Sequence, residues 1–224
     1  MRFYSGPFPE NPIFNPEAEG WFAVPETENL QAVYRKAKRA SLVLFLFWLP
    51  LYLFAFPLEL FVPQVIHLSS NVFRIQYPIL QLPLWLVLTI LILFIPTHEI
   101  IHALCCPQLG LSAKTVFGLW FQKGFFYVHH EGPMSRNHLL LVLVAPYIVL
   151  SLLPLAAIGV FKVLDWTPEL LISLAWLSLL GSIFAGGDFV SIGLLLSHIP
   201  SAAIVRNKGR RSYWKPTGKI SPTV

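Results

Sequence analysis

Residues 96–104 read Pro-Thr-His-Glu-Ile-Ile-His-Ala-Leu and place the pattern His-Glu-x-x-His at the end of a long apolar run. His98 and His102 are four residues apart, so on a helix their side chains lie about 40° apart around the axis and can reach one ion. Glu99 lies beside them and can accept a proton. Because buried polar side chains in apolar sequence are costly unless they bind something, the stretch predicts a metal site. A structural histidine pair is the alternative.

The composition predicts a membrane protein. Of the 224 residues, 55% are hydrophobic and 12% are charged, which lies outside the range of soluble globular domains. Four uncharged runs each come close to the roughly 20 residues that cross a bilayer as a helix. These runs are residues 40–58, 75–97, 139–161 and 170–187. The sequence therefore predicts four transmembrane helices in a cell membrane.

The lysines and arginines predict how these helices are oriented. One basic group precedes the first run and another follows the last: Arg35, Lys36, Lys38 and Arg39, then Arg206, Lys208, Arg210, Arg211, Lys215 and Lys219. Basic flanks favour the cytoplasmic side, so we expect both termini there and the metal site near that side. The net charge of +5 fits attraction to the headgroups of a lipid bilayer better than binding to nucleic acid.

These boundaries predict three segments. Residues 1–39 form a cytoplasmic segment that is proline-rich and irregular up to residue 24. A helix is expected over residues 27–39, either on the membrane surface or as a solvated lead into the first run. Residues 40–200 form the transmembrane domain that carries the metal motif, and residues 201–224 form a basic cytoplasmic tail.

A β-hairpin is expected between the second and third runs. From residue 113 to residue 131, β-branched and aromatic residues flank a turn that contains Gly124. The predicted fold class is therefore an all-α membrane protein with about four transmembrane helices and this one hairpin. A free hairpin edge beside the metal could bind a peptide as an added strand. His129, His130 and Glu131 end the hairpin, as candidate oxyanion donors, as alternative ligands or as solvated polar residues.

Asp188 is the best candidate for the third metal ligand. It follows Gly186 and Gly187 at the end of the fourth run, and a carboxylate in apolar sequence needs a partner. Ten residues, about 15 Å of helix, separate it from the cytoplasmic end of that run, which puts it near the depth of the two histidines. The two glycines allow close helix approach or local unwinding. The alternatives are an aspartate paired to a lysine or hydroxyl, Cys106 as a further ligand, and Glu131 or Glu169 as the third ligand.

Three motifs together resemble a known family. The stretch from His98 to Ala103, the pair Gly187-Asp188 and the pair Ala145-Pro146 are similar to motifs of the small bacterial membrane proteins grouped as putative zincin peptidases. More broadly, they resemble the site-two type of intramembrane zinc metalloprotease. In this chain the glycines precede the aspartate, whereas the site-two motif Leu-Asp-Gly has its glycine after it.

The resemblance implies an intramembrane zinc metalloprotease that cleaves membrane proteins or membrane-associated peptides. His98, His102 and Asp188 would hold the zinc ion, and Glu99 would act as the general base. Two imidazoles and a carboxylate also suit zinc by their chemistry. A metal carrier or sensor without proteolytic activity is the first alternative. A different class of zinc protease, with Glu131 or Glu169 as the third ligand, is the second, and a purely structural four-helix membrane protein is the third. The sequence leaves the oligomeric state open.

Overall fold

A computed structural model of the chain describes residues 1–25, 30–55, 64–69, 72–76, 84–164 and 167–217. The chain divides by its internal contacts into two compact units. Unit 1 comprises Met1–Ala40, Ile95–Pro146 and Ala185–Val224, and unit 2 comprises Ser41–Phe94 and Tyr147–Phe184. The division into segments 1–39, 40–200 and 201–224 was drawn from charge and apolarity rather than from contacts, and it stays a prediction.

The described residues form six α-helices and nine strands. The helices are α1 (Leu30–Ala55), α2 (Leu84–Cys105), α3 (Arg136–Tyr147), α4 (Leu153–Val163), α5 (Pro168–Phe184) and α6 (Gly186–His198). The strands are β1 (Arg2–Ser5), β2 (Phe22–Ala23), β3 (Gln64–Ser69), β4 (Val72–Gln76), β5 (Thr115–Trp120), β6 (Phe125–His130), β7 (Met134–Ser135), β8 (Ala203–Lys208) and β9 (Arg211–Pro216). A π-helical turn, Ile148–Leu152, joins α3 to α4.

The first sheet of unit 1 has the strand order β1-β5-β6. Strands β5 and β6 form the hairpin that the sequence predicts over residues 113–131, with Gly118 opposite Tyr127. A Cβ atom at Gly118 would lie 2.0 Å from the Tyr127 ring, so only glycine leaves room for this aromatic side chain. Strand β1 pairs with β5 in parallel, which leaves β6 at the edge of the sheet.

The second sheet of unit 1 has the order β2-β9-β8-β7 and joins the two ends of the chain. Basic residues of β8 and β9 hold carbonyl groups of the N-terminal segment. Lys208 donates from Nζ to the Phe14 carbonyl at 2.8 Å, and Lys215 donates to the Glu19 carbonyl at 2.8 Å. The Arg206 guanidinium lies 3.9 Å from the centre of the Phe14 ring. Part of the basic C-terminal region therefore stabilises this sheet.

The core of unit 1 is apolar and joins its helices to its second sheet. Its buried side chains include Leu139 and Val142 of α3, Leu194 and Leu195 of α6, and Val205 of β8. Burial of each such side chain stabilises the unit by about 1.5–3 kcal/mol. This packing holds α3 and α6 in place around the end of α2.

Helix α2 runs through Pro96 and ends at Cys105 because a proline follows two residues later. Cys106 is extended, with φ −68° and ψ 158°, as expected for a residue that precedes a proline. The turn continues to Gly110, where φ is +71° and a Cβ atom would lie 2.4 Å from the Ala103 carbonyl oxygen. This close approach folds the chain back against the last turn of α2 and fixes the end that carries the metal motif.

Unit 2 contains α4, α5, most of α1 and the hairpin of β3 and β4. Three buried serines hydrogen-bond one another at the contact between the π-helical turn and α5. Ser151 and Ser182 have their hydroxyl oxygens 2.6 Å apart, and the Ser178 hydroxyl donates to the Ser151 carbonyl at 2.7 Å. Trp48 donates from its indole nitrogen to the Tyr147 hydroxyl at 2.8 Å. Buried polar groups in this unit therefore bind one another.

The prediction of an all-α fold with four transmembrane helices is wrong. The chain is mixed α and β. Among the described residues one continuous helical stretch, Arg136–Phe161, is long and apolar enough to cross a membrane; it comprises α3, the π-helical turn and most of α4. Helices Leu170–Phe184 and Gly186–His198 give a second candidate if the broken pair counts as one span. The predicted run 75–97 begins within β4 and includes the first part of α2, and residues 77–83 between them lie outside the described ranges. Apolarity alone does not distinguish a buried element from one that crosses a bilayer.

The N-terminal segment is also more regular than the sequence predicts. Strands β1 and β2 lie within residues 1–24, where no regular element was expected. Both strands are short and pair with partners that are distant in the chain, so local sequence carries little signal for them. The helix expected over residues 27–39 is the first part of α1, and residues 26–29 lie outside the described ranges.

Candidate metal centre

Helix α2 brings together the side chains of the His-Glu-x-x-His motif. His98 and His102 are both buried, with 7% of each residue exposed, and their ring centres lie 4.8 Å apart. One ligand atom from each of His98, Glu99 and His102 lies within 4.8 Å of the others. The helical spacing therefore places three ligand-type side chains close enough to hold one ion.

Asp188 faces both histidines from the first turn of α6. The break at Ala185 starts a new helix, so the carboxylate lies at a helix N-terminus, where negative charge is favoured. Its Oδ2 atom is 3.2 Å from His98 Nε2, and its Oδ1 atom is 3.3 Å from His102 Nε2. The break thus lies before the two glycines, which belong to the first turn of α6.

The backbone fixes which nitrogen of His102 faces Asp188. His102 Nδ1 lies 2.8 Å from the Val142 carbonyl oxygen of α3. A carbonyl can only accept, so Nδ1 carries the proton, and in the neutral ring Nε2 is an acceptor. This acceptor faces a carboxylate oxygen, an arrangement that requires either a proton or a cation. Histidines that bind a metal through one ring nitrogen usually donate from the other to a group such as a backbone carbonyl, as His102 Nδ1 does here.

The residues present fit a zinc ion. Asp188 Oδ2 is buried, lies 3.2 Å from His98 Nε2 and has no assigned hydrogen-bond partner among the described residues. Two ligand atoms bound tetrahedrally at about 2.0 Å from an ion lie about 3.3 Å apart. The separations of 3.2 and 3.3 Å between the histidine nitrogens and the carboxylate match this value.

Glu99 is held by a strand of the first sheet. The Val128 backbone nitrogen of β6 donates to Glu99 Oε2 at 2.9 Å. This bond fixes one carboxylate oxygen, whereas Asp188 directs one oxygen towards each imidazole. Asp188 thus lies between the two imidazoles, whereas one oxygen of Glu99 is bound by the strand.

A cavity of about 390 Å³ opens beside this cluster within unit 1. Glu99, His102 and Asp188 form one part of its lining. Phe125, Tyr127 and His129 of β6, with Phe8 of the N-terminal segment, form another part. The Phe8 ring centre lies 4.2 Å from that of Tyr127. The cavity is therefore largely apolar and contains a few polar groups, as is typical of ligand-binding sites.

The other candidate ligands are engaged elsewhere or remain untested. Glu131 accepts from Arg2 at 2.8 Å, and His130 Nδ1 lies 3.0 Å from the Thr115 hydroxyl. Burial is the main cause, and the nearby Cys105 the lesser one, that raises the pKa of Cys106 to about 12 and so favours the protonated thiol. The side chain of Glu169 lies outside the described part of the chain.

The model of one protein family, described as "Putative zincin peptidase", matches residues 91–204, just over half of the chain. The chain belongs to this family. The matched region contains the motif of α2, strands β5 and β6, and Asp188. No curated protein and no solved structure gives a significant match. Membership supports a metallopeptidase that uses zinc, and the His98, Glu99 and His102 group could hold such an ion.

Sequence reasoning missed two functional groups because both belong to the backbone. The Val142 carbonyl orients His102, and the Val128 amide holds Glu99. No residue type encodes these contacts, so only the hairpin prediction hinted that a strand lies near the site. The zincin family motif identifies side chains, and the fold supplies the groups that orient them.

Proposed function

We propose that this protein is a zinc-dependent peptidase in which His98, His102 and Asp188 hold the ion and Glu99 is the general base. The observation that carries the proposal is the position of the Asp188 carboxylate, with one oxygen 3.2 Å from His98 Nε2 and the other 3.3 Å from His102 Nε2. Family membership supports the same chemistry.

Glu99 has the central role in proton transfer. When bound, zinc supplies a Lewis acid that lowers the pKa of water and polarises a carbonyl group. Glu99 accepts a proton from the attacking water and delivers it to the nitrogen of the scissile bond, so that one water yields a carboxylate and an amine. The Val128 amide holds Glu99 Oε2 and so restricts the carboxylate to one orientation.

The proposed substrates are membrane proteins or membrane-associated peptides, as for the site-two proteases that the motifs resemble. Support comes from helix Arg136–Phe161, which is long and apolar enough to cross a membrane. A helical substrate shields its own peptide bonds, so it must unwind before attack. Strand β6 lies at a sheet edge and can receive the unwound segment as an added strand. In this proposal the chain resides in a lipid bilayer, with its site near the cytoplasmic side.

The experiment compares the full-length protein with Glu99→Gln, using a labelled transmembrane peptide in lipid vesicles. General-base catalysis contributes about 10²–10⁴-fold, so peptide cleavage should fall by at least that factor. The zinc content measured on the same samples should stay at the wild-type level. Cleavage by Glu99→Gln at the wild-type rate would falsify the hydrolytic mechanism.

A metal-binding protein without proteolytic activity is the second candidate function. Glu99 belongs to the same close group as His98 and His102, so two imidazoles and two carboxylates could surround an ion and leave no open position. A carrier or sensor would use such a closed site. In that case Glu99→Gln would lose zinc, whereas the peptidase proposal expects zinc to stay bound.

A further inference from the structure

Two buried side-chain atoms of residues that line the cavity lack a hydrogen-bond partner within the described part of the chain. They are Asp188 Oδ2 and His129 Nε2. A zinc ion would satisfy the first. The second belongs to a residue that is 4% exposed, and leaving such a group unsatisfied costs about 1–3 kcal/mol. A buried polar atom without a partner requires an explanation, and a ligand bound in the cavity that His129 lines would supply one.

His129 is adjacent to the group that holds the general base. It follows Val128, whose backbone nitrogen donates to Glu99 Oε2 at 2.9 Å. The ring centre of His129 lies 5.9 Å from that of Phe8, which is also on the cavity wall. A peptide in the cavity would therefore contact His129 and the site of chemistry together.

The chemical state of His129 suits a hydrogen-bond donor. Burial, followed by the charges of His130 and Arg2, lowers its pKa to about 4, so the ring is neutral at physiological pH. A neutral imidazole has one N–H, which can be carried by Nε2. His130 is neutral for similar reasons, but its Nδ1 lies 3.0 Å from the Thr115 hydroxyl. Of these two neighbours, His130 has a partner within the fold.

Two other donors on the same wall are already engaged. The Val128 amide is bound to Glu99. The Tyr127 hydroxyl lies 3.1 Å from the Gly6 carbonyl oxygen and 3.0 Å from the Pro7 carbonyl oxygen, to which it donates. His129 Nε2, by contrast, has no hydrogen-bond partner within the described part of the chain and can donate to a carbonyl oxygen of a peptide.

We propose that His129 is a substrate-binding residue whose Nε2–H donates to a main-chain carbonyl oxygen of the peptide in the cavity. This inference rests on the proposed peptidase function and assigns to it a further residue. Because the acceptor belongs to the main chain, the contact serves peptides of many sequences. It orients the substrate carbonyl beside Glu99 and the metal ligands.

The test compares His129→Phe, which keeps an aromatic ring without a donor, with His129→Gln, which keeps an N–H. We expect His129→Phe to lower kcat/KM for a labelled peptide by about tenfold or more, and His129→Gln to recover part of the loss. The melting temperature of His129→Phe should equal or exceed that of the wild type, because no internal hydrogen bond is removed. His198→Gln is the control, since His198 bonds Ser197 and Leu194 at the end of α6.

A binding measurement separates failure of this inference from failure of the proposed function. In a Glu99→Gln background, which does not cleave, His129→Phe should weaken binding of the labelled peptide by about tenfold. Unchanged peptide affinity, or a melting temperature that falls in both His129 variants, would overturn the role of His129 alone. A zinc-loaded wild type that neither binds nor cleaves the peptide would overturn both proposals.

Discussion

The two units differ in whether certain buried polar side chains have partners within the fold. In unit 2, the hydroxyls of Ser151, Ser178 and Ser182 all have partners at distances between 2.6 and 3.1 Å. In unit 1, Asp188 Oδ2 and His129 Nε2 are buried without a hydrogen-bond partner in the described part of the chain. The serines are thus satisfied by the fold, whereas these two atoms of cavity-lining residues are not.

Such a difference is expected between polar groups that stabilise a fold and groups that bind a ligand. A satisfied hydrogen bond contributes about 0.5–1.5 kcal/mol to stability, and an unsatisfied buried group costs more than that. Folds therefore keep unsatisfied groups mainly where a ligand supplies the missing partner. The metal centre and the serines should accordingly respond differently to mutation.

The largest expected effect is on zinc binding by Asp188→Ala. Changes in groups that only support a metal ligand weaken affinity about 10–100-fold, so loss of a ligand should weaken it by more than about 100-fold. Zinc titration in the presence of a competing chelator measures this change. Glu131→Ala and Glu169→Ala serve as controls and should keep full affinity. If Asp188→Ala retains full zinc occupancy, Asp188 is not a ligand.

Zinc removal should also lower the stability of the wild type. An ion at 100 times its dissociation constant stabilises the folded state by about 2.7 kcal/mol, and a chelator removes this contribution. Thermal unfolding with and without chelator measures it, and Asp188→Ala should show no such difference. If the chelator lowers the thermal stability of the wild type and of Asp188→Ala by the same amount, the ion binds elsewhere.

Ser151→Ala should reduce stability without affecting the metal. The variant removes the hydroxyl that lies 2.6 Å from Ser182 Oγ and 3.0 Å from the Ser178 carbonyl, at a cost of about 1–3 kcal/mol. The free energy of unfolding and the zinc content of the same sample report the two effects. Loss of zinc from Ser151→Ala would contradict the distinction between the buried serines of unit 2 and the metal centre of unit 1.

The smallest effect is expected for Arg2→Ala. Arg2 bonds Glu131 at 2.8 Å, but its side chain is 51% exposed, so water and salt screen the pair. Such pairs contribute about 0–1 kcal/mol. Unfolding at low and high salt should give nearly equal values for the variant and the wild type. A loss of zinc in this variant would instead link Glu131 to the metal centre.

The sequence was sufficient to predict which side chains meet near the metal centre. His98 and His102 follow from helical spacing, and Asp188 follows from the cost of a carboxylate in apolar sequence. Both arguments use local information, and the distances of 3.2 and 3.3 Å show that the three side chains converge. Their role as ligands stays a prediction until a metal is measured.

The sheets could not be predicted in the same way. Strand β1 pairs with β5, more than a hundred residues away, and β2 pairs with β9 from the other end of the chain. Strands this short are specified by their partners more than by their own residues. The apolar runs were misread as four spans because hydrophobicity reports burial, whether by lipid or by protein.

The second sheet pairs Phe22, near the start of the chain, with Trp214, near its end, so this sheet is completed late in synthesis on the ribosome. A growing chain makes α2, with both histidines, long before it makes the strand that completes the second sheet. Asp188 is made about ninety residues after His98, which takes several seconds at usual translation rates. A nascent chain therefore carries the imidazoles before it has the carboxylate that faces them, so the order of translation delays assembly of the centre.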